Sequence, residues 1–126
     1  MIDPLRDWVR GEFDRLAPVL QRAIDRTDGL YELEHVWEEI DLGGAQFWPG
    51  PNSVVVTKIE TYPTGVKTIT GWLAAGDFEE VQGIRKTIKE WARGQGCTRF
   101  YIVGRRGWLR SLDGFQEKQT IMYEEI

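Results

Sequence analysis

Apolar residues recur every three or four positions at Leu5, Val9, Phe13, Leu16, Leu20 and Ile24. That spacing draws one stripe along a helix. Asp3 stands where an N-cap is expected, and Pro4 at the first helical position. Pro18 falls inside the stripe. It predicts a kink or a restart, because proline lacks the amide donor and its ring crowds the preceding turn. Thr27–Asp28–Gly29 breaks the pattern. A second helical spacing follows at Leu30, Leu33, Val36, Trp37 and Ile40, and Gly43–Gly44 stops it.

The period then shortens to two. "AQFW" runs into Pro49–Gly50–Pro51–Asn52, "SVVVTKIETY" is rich in β-branched residues, and Pro63–Thr64–Gly65 separates it from "VKTITGWLAAG". Short turns between consecutive strands predict an antiparallel meander over 45–48, 53–62 and 66–75. Asp77 is placed to cap a long helix whose stripe is Val81, Ile84, Ile88 and Trp91–Ala92, and Gly94 and Gly96 end it. "CTRFYIV" is apolar on both faces, which predicts a central strand covered on both sides. Packing then places Trp91, Phe100, Ile102 and Trp108 together in the core. A Gly104–Arg105–Arg106–Gly107 turn, a short helix and a terminal strand, "QEKQTIMYEEI", complete the chain. The order ααβββαβαβ makes a single α+β domain over 1–126, or α/β with a mixed sheet.

Composition narrows the function classes. No apolar run reaches the ~18–20 residues of a membrane span, and "MIDPLRDWVRGEF" lacks the apolar core of a signal peptide. The single cysteine, Cys97, excludes an internal disulfide. A reducing, cytoplasmic setting is therefore expected. One cysteine and one histidine leave no metal-ligand spacing. His35 sits beside acids on a helix and reads as a surface residue. The net charge of −4 argues against nucleic acid as the partner.

The charge is uneven, however. Arg85, Lys86, Lys89, Arg93, Arg99, Arg105, Arg106 and Arg110 are opposed within their stretch only by Glu90. This segment is either a solvated face or an anion site. Arg105 and Arg106 are candidates for clamping a phosphate or a carboxylate, since guanidinium suits bidentate recognition. Pairing with Glu38, Glu39 or Asp113 is the alternative. Trp48, beside the Pro–Gly–Pro turn, is expected at an exposed hairpin and is a candidate partner contact. Trp108 is expected to plug the core beneath the short helix.

The element order and the stretch "IRKTIKEWARGQGCTRFYIVGRRGWLRSLDGF" resemble the GNAT acetyltransferases. There a helix ending like Ala92 to Gly96 leads to a strand like Thr98 to Val103. A short helix like Arg106 to Leu112 and a Gly114–Phe115 pair follow. "WARGQGC" with "GRRGW" is also similar to small GNAT-like proteins of bacteriophages. The resemblance implies acetyl-CoA as cofactor, its pyrophosphate held by an Arg/Gln–x–x–Gly–x–Gly/Ala loop before the long helix. The corresponding stretch here is "AAGDFEEVQGIRK". Counting from Gln82, the required glycine is Arg85, and Asp77, Glu79 and Glu80 stand where anion-binding amides are wanted. Losing two charge-assisted phosphate contacts costs about 3–6 kcal/mol. The family's tyrosine acid, carried by the helix after the central strand, has no counterpart in "RGWLRSL". Tyr101 lies in the strand itself and is expected to be packed.

The sequence therefore points to a non-catalytic GNAT-like protein with a binding or assembly role, cytoplasmic, or in host cytoplasm or virion if phage-encoded. It would use no cofactor and act through protein contacts at Trp48, Arg105 and Arg106. The alternative is an acyl-CoA-dependent N-acetyltransferase with a divergent loop, in which Gln82, Gly83 and Arg85 contact the cofactor.

Overall fold

The computed structural model describes residues 3–103, 114–118 and 121–126. Its described elements are α1 (Pro4–Asp25), α2 (Leu33–Asp41), β1 (Gln46–Pro49), β2 (Ser53–Thr61), β3 (Lys67–Gly76), α3 (Phe78–Gly94) and β4 (Arg99–Ile102). The sheet order is β1-β2-β3-β4. The first three strands form the expected antiparallel meander, and β4 joins β3 in parallel. The architecture is α+β.

Alternation along the strands sorts two cores. Val54, Val56, Leu73 and Ala75 face α1 and α2, packing with Phe13, Leu16, Leu20, Ile24 and Val36. Val55 and Ile69 face the other way, onto Ile88 and Ala92 of α3. The helices thus lie in layers on both faces of the sheet. α1 starts as predicted, with the Asp3 carboxylate accepting from Leu5 N and Arg6 N. It does not restart at Pro18, which lies on its exposed face. Core anchors before and after Pro18 hold both halves to the sheet. Leu5 and Leu30, read as part of apolar stripes, are 71% and 74% exposed. α2 begins later than its spacing suggests, at Leu33, because Asp28 (φ 56) and Gly29 (φ 83) turn the chain first.

Three further expectations change. Among the described residues β4 is an edge strand, its one ladder there being to β3. Its Phe100, Tyr101 and Ile102 are half-buried. The described parts of the terminal stretch, 115–118 and 121–126, are not strand, and Ile121, Met122 and Tyr123 are exposed. Trp91, Phe100 and Ile102 are half-buried, with Trp91 and Phe100 at the margin of the α3-side core. Trp108 and the helix expected around it lie outside the described residues.

One irregularity shapes the molecule. Val56 stands opposite Leu73 and Thr57 opposite Gly71, so Trp72 has no partner on β2. A β-bulge of this kind bends its strand and sharpens the local twist. The ladder to β4 ends at the same place, with Gly71 opposite Ile102. Beyond that pair β3 runs on to Gly76 beside a gap.

Candidate functional site

The gap is a cleft of ≈ 250 Å³. Its floor is the small-residue end of β3, where Gly71, Ala74 and Gly76 line it. Phe100 and Ile102 of β4 form one wall, and Val81 and Ile88 of α3 form another. The lining is mostly apolar, as binding cavities generally are.

The polar groups of the cleft come first from the backbone. Ser53 O accepts from Gly50 N, on the β1 side. Backbone direction alternates along an antiparallel ladder. Val54 therefore bonds toward Ala75 on β3, and the N–H and C=O of Ala74 point away from β2, into the cleft. Arg26 Nη1 reaches Ala74 O at 3.5 Å, which agrees with that direction. Among the described residues no strand pairs with this edge beyond Gly71, and a strand edge of this kind accepts an extended chain bearing amides.

Charge comes second. The only ionisable side chains among the described lining residues are Arg26, from the C-cap of α1, and Arg85, from α3. Neither pairs with a carboxylate among the described residues. Arg85 is held by Gln82 Oε1 at 3.1 Å and lies over the Phe115 ring at 5.4 Å. Phe115 in turn meets Phe100 edge-on at 5.8 Å.

The acids expected to repel an anion are employed elsewhere. Asp77 is the N-cap of α3, its Oδ1 accepting from Glu80 N at 3.0 Å. Glu80 Oε1 accepts from Asn52 N and from Ser53 Oγ, both at 2.8 Å. Neither these two nor Glu79 lines the cleft. One residue, Asp77, joins β3 to α3, so no phosphate loop is built there.

The predicted site residues separate. Arg85 lines the cleft. Gln82 acts on it indirectly, by orienting Arg85. Gly83 is an exposed position in the body of α3, with open space where a Cβ would stand. It belongs to a helix and not to a loop. Trp48 is not the exposed hairpin residue expected. It is half-buried, stacked edge-on against Trp91 at 5.4 Å, and its Nε1 donates to Thr57 Oγ1 at 2.9 Å. The turn beside it is gripped by Arg15, which donates to Gly50 O and Pro51 O, and by Glu80. Arg105 and Arg106 lie outside the described residues.

Tyr101 is half-buried and points to the face of β4 opposite Phe100 and Ile102. Its phenol accepts from Arg99 Nη1 at 3.3 Å, and this hydrogen bond holds its pKa below the usual tyrosine value. It does not line the cleft. His35 is exposed and its Nδ1 accepts from Glu32 N, a capping role. Arg26 and Trp72 were missed by sequence reasoning. Arg26 reads as an ordinary C-terminal cation of a helix, and only the fold carries it to β3. Trp72 faces the α1 side beneath Lys58 Nζ, 3.9 Å from its ring centroid, and beside Tyr31 at 5.0 Å.

No protein-family model matches the sequence, and no curated protein matches it. Solved structures do match in fold. An aminoglycoside acetyltransferase from an uncultured soil metagenomic sample superposes with a TM-score of 0.68 at 8% identity, covering 92% of this chain and 88% of that one. The ribosomal-protein-alanine N-acetyltransferase from Brucella melitensis gives 0.63 at 8%, over 92% and 95%. An acetyltransferase from Trypanosoma brucei gives 0.59 at 13%, over 75% and 78%. The chain therefore has the GNAT acetyltransferase fold.

Proposed function

We propose that this chain is an N-acyltransferase that takes its acyl group from a thioester of the acetyl-CoA type. The observation that carries the reading is the edge of β3 beyond Gly71, which no strand among the described residues covers. Beyond the bulge at Trp72, the backbone of Ala74 faces a cleft whose walls are apolar. A pantetheine arm is a linear chain with two amides. Laid along β3, it gains strand-like hydrogen bonds from backbone groups already fixed by β2, with little ordering cost. The fold of the acetyltransferases named above supports the same reading without supplying the residues.

The reaction is a nucleophilic substitution. An acceptor amine attacks the thioester carbonyl, the C–N bond forms, the C–S bond breaks, the amine loses a proton and the thiol leaves. Fixing the thioester on a rigid strand would supply orientation, the larger share of catalysis when two substrates must meet. Among the described residues no carboxylate or histidine lines the cleft, so acceptor deprotonation falls to solvent or to groups outside them.

A second reading has its own observation. Asp77 caps α3 directly after Gly76, which leaves no loop for a pyrophosphate. That favours a non-catalytic GNAT-like protein working through protein contacts. Acetyl-CoA separates the two. The acyltransferase reading expects 1 mM acetyl-CoA to raise the melting temperature, as a ligand specific to the native state must, and expects thiol release with an amine acceptor. An unchanged melting temperature together with no low-millimolar or tighter Kd by calorimetry would leave the non-catalytic reading.

A further inference from the structure

We infer that Arg26 and Arg85 form a seat for a single phosphate, so that the cleft recognises a 4′-phosphopantetheine arm and not the nucleotide beyond it. This holds provided that the arm lies along β3 as proposed above. The two guanidiniums come from opposite layers, one from the end of α1 and one from α3, and both line the same cavity. Among the described residues they are its only ionisable side chains, on a protein whose net charge is −4. The site therefore carries positive potential against the overall balance. Guanidinium groups grip phosphate through paired N–H donors. Arg85 is already oriented by Gln82 and Phe115, and Arg26 lies along the β3 edge at Ala74. A phosphate there would terminate an amide chain that starts deeper in the cleft.

The same geometry sets the outer limit. A volume of ≈ 250 Å³ lies just below the ~300–1,000 Å³ of pockets that enclose whole drug-sized ligands. It suits a linear arm. Past the seat a single residue, Asp77, joins β3 to α3, so no loop of backbone amides is built there to meet a second phosphate. Both CoA and the prosthetic group of a carrier protein contain the recognised arm, and the nucleotide of CoA gains nothing further.

Calorimetric titration with pantetheine, 4′-phosphopantetheine and CoA tests this. The phosphate should tighten binding about tenfold or more over pantetheine, a typical gain for charge-assisted contacts. CoA should fall within about threefold of phosphopantetheine. Arg26→Gln and Arg85→Gln should each remove most of the phosphate's gain and leave pantetheine unchanged, whereas Lys86→Gln, on an exposed position of α3, should remove none of it. Equal affinity for pantetheine and phosphopantetheine overturns the seat while leaving the acyltransferase reading intact. CoA tighter than phosphopantetheine by more than about tenfold also overturns it. Failure of all three to bind removes both. A holo carrier protein as a fourth titrant separates the sources: binding by CoA or by the carrier that weakens about tenfold on Arg85→Gln supports the seat, and binding by either that is undiminished by both substitutions overturns it.

Discussion

Replacing Gly76 by alanine tests the junction on which the cleft depends. Gly76 closes β3 with φ +113, a conformation side chains rarely adopt. Holding alanine there costs about 1–3 kcal/mol. Space is also lacking: an added Cβ would stand 2.4 Å from Asn52 O and 2.5 Å from Ser53 Cα, both backbone atoms of the neighbouring strand and turn. Relieving such a clash needs a backbone shift worth about 1–3 kcal/mol more. The expected loss is therefore about 2–6 kcal/mol, a large share of the ~5–15 kcal/mol typical of a domain. In urea, with a slope of about 1–3 kcal/mol/M, the midpoint should fall by roughly 2 M. Gly83→Ala is the internal control. Nothing lies within 4 Å of its added Cβ, and the site is mid-helix, so stability should rise by about 0.5–1 kcal/mol. A Gly76→Ala protein within about 0.5 kcal/mol of the parent would refute the reasoning and the tight β3–α3 junction with it.

Other substitutions probe other layers. Ile88→Ala should cost about 2–5 kcal/mol by chemical denaturation, because Ile88 is fully buried between α3 and the sheet. Glu80→Ala should cost about 1–3 kcal/mol, since it strips a partner from the Ser53 hydroxyl, itself 0% exposed, and frees the hairpin from α3. The Arg6 guanidinium hydrogen-bonds Asp41 at 2.6 Å and holds its carboxyl below the usual aspartate range. A lowered folded pKa gives stability that is present above the unfolded value of about 3.9 and is lost as pH falls through the folded one. The small melting-temperature gap between parent and Asp41→Asn should therefore be open at pH 7 and closed well below pH 4.

Much of this fold could be read from the chain because period and turn chemistry agreed. β-branched runs bounded by Pro49–Asn52 and Pro63–Gly65 specify the meander, and Asp3 and Asp77 cap the helices they precede. Reading failed where a residue's surroundings are made by distant segments. The Phe100–Val103 pattern suits a central strand, but position in the sheet is set by what else pairs with β4. Trp48 stands just before a turn signal and looked exposed, yet Trp91, forty-three positions away, covers it. The acids after Gly76 looked hostile to a ligand because sequence gives charge without direction. The fold sends Asp77 to its own helix and Glu80 to Asn52 and Ser53. Arg26 had no local signal at all.

The sheet's two kinds of connection also set the order in which the molecule assembles. β2 and β3 pair from Ser53–Gly76 to Thr61–Lys67 across a short turn, so their ladder closes cheaply. β4 pairs with β3 only from Thr68–Arg99 to Gly71–Ile102, after the whole of α3 has been threaded between them. Non-local parallel pairing pays its loop entropy before it is rewarded. The hairpin can therefore form early, while the β4 wall docks late and, in the native state, detaches first. The cleft is the part of the protein that exists only once everything else has folded.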